Sequence, residues 1–234
     1  MNPIAANRDF DSSTLSIDTI IVPQGAEYQA VCRGLQQAKV EIQVISIPIG
    51  TKNVAGILAN FPRQLNNSRR VLIMGLCGSL DRLYRVGDVV LVQSCQDLER
   101  HRVELDLELT AQIQTKLSVD LVAGLTSDRL ISRTAEKLQL SQKYPVSVVE
   151  MEGYGYVTWL QQREISVAML RVVSDDLGGN ISDLGRAIDP DGNLQTMAMA
   201  IAFVQQPVAA IRLIKGSLTG LKTLRQITTK LVAG

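Results

Sequence analysis

A single histidine, His101, stands among 234 residues. A histidine base, a Ser-His-Asp triad or a histidine metal centre would all have to use it, so carboxylates are the expected carriers of any chemistry. Neither a metal nor a cofactor is expected. Aromatic residues make up only 4% of the chain (one Trp, five Tyr, three Phe), which leaves an aliphatic core and removes the stacking platforms of single-strand nucleic-acid binders. The three cysteines, Cys32, Cys77 and Cys95, form no CxxC pair and argue against both a disulfide framework and a zinc knuckle. They suit a reduced, cytoplasmic setting. A dominant charge is missing too: 24 Lys+Arg face 23 Asp+Glu, so no global field draws the chain to a polyanion, and nucleic acid is not an expected partner. The longest clean apolar run, 197–204, is far too short for a bilayer span. The N-terminal stretch 1–16 lacks the basic-then-apolar order of a secretory signal and reads as a tail.

With 46% hydrophobic and 20% charged residues, the remainder (17–234) reads as one globular domain with a sizeable core and no linker. Short Val/Ile/Leu-rich runs alternate with longer helical segments, the pattern of an α/β domain around a buried sheet. Strands are expected over 19–22, 41–47, 70–74, 88–93, 120–125, 146–149 and 167–173, seven in one sheet. Helices are expected over 26–38, 52–61, 134–140 and 153–162. The charge-dense stretch 98–116 fits either an exposed strand or a short helix. Beyond the turn Asp189-Pro190-Asp191-Gly192 the chain reads as helical, broken at Pro207 and softened at Gly216 and Gly220. Its spaced Leu and Ile make an amphipathic cover for the body, a partner subunit or a lipid.

Four expected strand ends carry chemical groups. Gly75-Leu76-Cys77-Gly78-Ser79-Leu80 follows the strand ending at Met74; its glycines permit a tight turn and close backbone approach, but it matches neither the dinucleotide fingerprint nor the phosphate-binding lysine loop. Within it, Cys77 reads as a packing residue. Val149-Glu150-Met151-Glu152-Gly153 runs a strand into two acids two residues apart, of which Glu152 is the one near enough to the strand end to meet a ligand. Arg171-Val172-Val173-Ser174-Asp175-Asp176 ends in two adjacent acids that point different ways, so one at most lines a given pocket. In Val22-Pro23-Gln24-Gly25-Ala26-Glu27, the acid sits in a first helical turn, where the helix dipole favours it with or without a function. Ligands in open α/β sheets gather at the carboxyl ends of strands, so the four ends make a better case together than singly.

The order of these motifs, with Val86-Gly87-Asp88-Val89-Val90 between them, resembles the purine nucleoside phosphorylase and methylthioadenosine/S-adenosylhomocysteine nucleosidase superfamily over about 20–176. The resemblance implies a single three-layer α/β/α domain around a mixed, strongly curved sheet. It puts the ribose-binding glutamate on Glu152 with Met151 against the sugar, and the acid that protonates the departing purine on Asp175. The glutamate that activates water falls on Glu27. Gly75, Cys77, Gly78 and Ser79 are expected to border the sugar, and Ile131 is a further expected substrate contact. Such chemistry needs a proton donor for the base, anchors for the sugar and a nucleophile on the opposite face, and neither histidine nor metal.

The phosphorylases of the hexameric kind use an Arg before the glycine segment and a Ser within it; here Ile73 and Leu76 take those places, which favours hydrolysis over phosphorolysis. The segment between Gln93 and Val119 is shorter than in the typical nucleosidase. The expected activity is cleavage of a purine, and in particular a 5′-substituted adenine, ribonucleoside. A phosphorolytic enzyme with phosphate as co-substrate, and a nucleoside-binding member without catalysis, are the alternatives. The tail is similar to that of the hopanoid-associated phosphorylase-like proteins, which implies lipid contact at the C-terminal helices, and self-association is a family-level expectation.

Overall fold

The computed structural model describes residues 16–50, 65, 68–184 and 195–233. The expected helix over 52–61, the turn Asp189-Pro190-Asp191-Gly192 and all but the last residue of the expected tail lie outside them. In chain order the elements are β1 (Thr19–Pro23), α1 (Ala26–Ala38), β2 (Gln43–Ile47), β3 (Arg70–Ser79), β4 (Val89–Gln96), β5 (Arg102–Glu104), α2 (Leu107–Leu117), β6 (Asp120–Thr126), α3 (Thr134–Lys143), β7 (Val148–Glu150), α4 (Gly153–Gln161), β8 (Ser166–Asp175), α5 (Thr196–Gln205) and α6 (Pro207–Val232). The charge-dense stretch resolves into both of its alternatives. Its strand β5 pairs antiparallel with β4 and raises the sheet to eight strands, and its helix α2 begins where the Asp106 side chain accepts a hydrogen bond from the Leu109 N–H at 2.8 Å.

The sheet is mixed and curls back on itself. β3 pairs parallel with β8, β8 antiparallel with β4, β4 parallel with β6, β6 parallel with β7, and β7 antiparallel with the far end of β3. Parallel β1 and β2 extend it outward from β3. Alternate residues of β3 serve opposite layers: Val71 and Ile73 join Tyr156, Val157 and Leu160 of α4, whereas Leu72 and Met74 join residues of α1, α2 and α6. Burial on both faces explains why these strands read as continuous apolar runs rather than alternating ones.

Pro207 occupies the first turn of α6, where its missing N–H costs nothing. The expected softening at Gly216 and Gly220 does not occur, and α6 runs unbroken past both. Both glycines are buried against the sheet: a Cβ on Gly216 would run into the Ser174 carbonyl, and one on Gly220 would lie 2.9 Å from a Leu76 methyl. Their small size lets the helix lie directly on the ends of β3 and β8, so packing outweighs their poor helix propensity.

Candidate active site

Strand β3 is shared between two partners. Residues up to Gly78 pair with β8, with a register shift between Cys77 and Gly78, and Gly78 and Ser79 also pair with β7. The tight turn expected after Met74 is therefore absent. β8 pairs with Gly75 to Gly78 and β7 with Gly78 and Ser79, and this tertiary pairing overrides their weak strand propensity. Where β3 leaves β8 for β7, the ends of β3, β7 and β8 and the start of α1 surround a pocket.

Glu27, Cys77, Gly78, Ile131, Met151, Glu152 and Asp175 line that pocket, together with Glu150, Ser174, Leu76 and Arg129. Two expected residues do not. Ser79 is buried, and its hydroxyl donates to the Asp81 carbonyl at 2.6 Å, which ties it into the turn after β3. Gly75 lies behind the lining, where a Cβ would fall 2.5 Å from a guanidinium nitrogen of Arg171 and 3.0 Å from the Glu27 carboxylate. Its part is to admit those two side chains rather than to touch a ligand. His101 is also absent from the lining; it is largely exposed and bonded to Asp97 at 2.8 Å.

One side of the pocket is organised by Arg171, fully buried on β8. Its Nη2 donates to Glu150 Oε2 at 2.5 Å and lies 4.0 Å from Glu152 Oε2. Glu150 also accepts from Thr126 Oγ1 at 2.5 Å and from the backbone N–H groups of Glu152 and Gly153 at 3.0 and 2.7 Å. These four bonds use the Glu150 carboxylate for holding the strand-to-helix junction, although it does border the pocket. Among the described residues Glu152 accepts one bond, from the Gly50 N–H at 2.9 Å. Burial first, and then the charge of Glu150, push its pKa up against the opposing pull of Arg171.

Glu27 approaches from the first turn of α1 and accepts from the Leu76 N–H at 2.5 Å. The residue is half-buried but its carboxyl end is packed in, and burial lifts its pKa to about 7 against that bond and Arg171. For Arg171 itself, burial disfavours the charge, and Glu150, Glu152 and Glu27 outweigh it and hold the guanidinium ionised. Nε and Nη1 of Arg171 have no hydrogen-bond partner among the described residues.

The other side belongs to Asp175, at the end of β8 and 5% exposed. Its carboxylate fills the space beside Gly78, where a Cβ would come within 3.0 and 3.2 Å of its two oxygens. Lys137 of α3, itself buried, donates to Oδ2. Burial raises the Asp175 pKa and Lys137 is the chief opposing influence. Cys77, between the two sides, is buried, and burial pushes its thiol pKa up, which disfavours the nucleophilic thiolate.

Arg171 and Lys137 had no role in the reading of the sequence. The first was discoverable: a cation inside the apolar run 167–173 must find acids when buried. The second gave no sign, since a lysine in a short charged helix reads as a solvated one.

Among solved structures, 5′-methylthioadenosine/S-adenosylhomocysteine nucleosidase from Helicobacter pylori shares 17% identity with the chain, covering 89% of this chain and 96% of that one at a TM-score of 0.60. A protein described as a putative nucleosidase of the same kind from Francisella philomiragia is 14% identical over 92% of this chain and 97% of its own, at 0.65. The futalosine hydrolase of Helicobacter pylori is 17% identical over 89% and 95%, at 0.61. At such identities the likeness is one of fold. No curated protein sequence matches the chain significantly. The family model of the phosphorylase superfamily matches residues 22–211, which takes in the pocket and every strand end that builds it, and the chain belongs to that superfamily.

Proposed function

We propose that the chain hydrolyses the N-glycosidic bond of a purine ribonucleoside, with adenine as the base and a substituent at the 5′ position. The observation that carries this reading is the convergence of Glu27, Glu152 and Asp175 on one pocket, with a cation behind each side. As the bond to the purine breaks, its electron pair moves onto the base and the ribose gains oxocarbenium character. Asp175 gives the base a proton. Glu152 accepts hydrogen bonds from the ribose hydroxyls, and Met151 packs on the sugar. Glu27, with a pKa of about 7, takes a proton from the water that attacks the anomeric carbon.

The pocket lining supports water over phosphate. Among the described residues it holds one cation, Arg129, which pairs with Glu136, and Arg171 and Lys137 lie behind it, engaged by Glu150 and Asp175. Leu76 offers no hydroxyl, and Ile73 is buried in the core. Incubation with methylthioadenosine, adenosine and inosine, with and without phosphate, tests the proposal: free adenine with the unphosphorylated sugar is expected. Ribose 1-phosphate would overturn hydrolysis, and tight adenosine binding without base release would identify a binding protein.

The C-terminal helices support contact with an anionic lipid surface. None of the ten residues of α5 is buried, and Met197, Ile201, Val204, Val208, Ile211 and Leu218 are exposed along α5 and α6. Residues 195–233 contain five cations, Arg212, Lys215, Lys222, Arg225 and Lys230, and no acid, so this local charge differs from the balanced whole. An exposed apolar face set among cations suits an anionic bilayer surface. Among the described residues no helix is long and apolar enough to cross a membrane. Truncation is a poor test, because α6 buries Leu224, Ile227 and Leu231 in the core. Sedimentation with phosphatidylserine-containing vesicles is expected to fall sharply in the triple variant Val204→Ser, Ile211→Ser, Leu218→Ser. Equal sedimentation with neutral vesicles, or a dimer that the same variant dissolves, would overturn it.

A further inference from the structure

Lys137 is a buried charge to which glycosidic cleavage, as written above, gives no task. It is 1% exposed, and an ammonium removed from water is costly unless its donors are used. They go to the Asp175 carboxylate and, at 3.4 Å each, to the backbone carbonyls of Asp175 and Asp176. Lys137 is not part of the pocket lining and Asp175 is, so its influence on a substrate passes through Asp175.

We propose that Lys137 is the positioning residue that makes Asp175 an effective acid: it anchors the carboxyl group by Oδ2 and stabilises the carboxylate that remains once the proton has gone to the purine. This inference rests on the assignment of Asp175 as the proton donor. The proton on Asp175 moves to a purine ring nitrogen, which uses the electron pair released by the breaking C–N bond. Lys137 keeps its own proton throughout. An ammonium in contact with a forming carboxylate strengthens the acid in the transition state, where the charge develops.

The other groups around Asp175 do not substitute for Lys137. Ser174 Oγ is 3.4 Å from Oδ1, Asp176 on the same strand end is a like charge, and Cys77 and Gly78 of β3 bring no cation. Glu150 and Arg171 pair with each other. Loss of Lys137 leaves burial opposed by the long Ser174 contact and no cation, so Asp175 becomes a weaker acid and stays protonated to higher pH.

The test is the pH profile of kcat in Lys137→Met, with Lys137→Arg as the rescue and Asp175→Asn as the control. Activity requires protonated Asp175, so it declines as pH rises through that group's pKa. In Lys137→Met this alkaline limb is expected to move up by about 1–3 pH units, and the plateau to fall about tenfold. Lys137→Arg should bring the limb back towards its wild-type place. A merely structural lysine would lower activity without moving the limb, and that result overturns the proposal. If Asp175→Asn retains full turnover, the acid assignment itself fails; if it is inactive and Lys137→Met keeps the wild-type limb, only the role of Lys137 fails. Should Lys137→Met not fold, the infrared band of the protonated Asp175 carboxyl, identified by its loss in Asp175→Asn, is titrated in the wild type and in Lys137→Gln. The band is expected to persist to higher pH in Lys137→Gln than in the wild type, and coincident titrations overturn the proposal.

Discussion

The two sides of the pocket hold carboxylates and cations in different proportion. Around Arg171, three glutamates share one guanidinium; at Asp175, one carboxylate meets one ammonium. On the first side charge cannot balance: burial drives Glu152 and Glu27 towards their protonated forms, and the neighbouring acids add to the push on Glu152. On the second it balances, and Lys137 restrains the rise that burial imposes on Asp175. In the proposed mechanism a base that must take a proton and an acid that must lose one are thus tuned by the number of nearby cations, with similar burial on each side.

The comparison is tested most severely at the acid. Asp175→Asn keeps the shape of the side chain and removes the proton donor, and kcat/KM is expected to fall by about 10²–10⁴-fold. Steady-state assays of adenine release measure it. On the crowded side, Arg171→Met leaves Glu150 buried without its cation and is expected to cost about 3–5 kcal/mol of stability, read from denaturant unfolding. A loss below 1 kcal/mol would show that the three acids do not depend on the guanidinium.

Gly78→Ala tests the boundary between the two sides. Its Cβ would press on the Asp175 carboxylate at 3.0 Å, so turnover should drop by roughly 10- to 100-fold with little change in fold. Circular dichroism beside the assay separates the two effects. The smallest expected effect concerns Glu27. Because its folded pKa of about 7 exceeds the ordinary value of 4.5, it costs the fold stability as pH rises from 4.5 to 7. Glu27→Gln removes that cost and keeps the bond from Leu76 N–H. The variant's melting temperature should gain on the wild type across that window, with no further gain above it. A constant difference at every pH would contradict the assigned protonation.

Much of the framework was legible because each layer leaves a periodic trace. The α1 helix matches the expected 26–38, and the β6 and β8 strands lie within a residue or two of their expected bounds. Glu27, Glu152 and Asp175 were legible as acids at strand ends. What was misread depended on partners distant in the chain. Gly75 to Ser79 read as a turn because glycine is a poor strand former alone, yet β7 and β8 hold it extended. Gly216 and Gly220 read as weak points in a helix, and they are the places where α6 lies closest to the site strands.

The sequence by itself pointed to carboxylates as the expected carriers of chemistry, since one histidine and three scattered cysteines make a histidine triad or a histidine or cysteine metal centre hard to build. It also determined the α/β alternation, because apolar periodicity is a local property. Only the tertiary structure decided which carboxylates are spent on structure and which face the pocket. Glu150 and Glu152 are two residues apart, but among the described residues four donors claim the first and one, the Gly50 N–H, reaches the second. It decided as well that Lys137, 38 residues from Asp175 in sequence, becomes its partner. Such a pairing is set by the burial of both groups in one place, and burial is a property of the assembled fold.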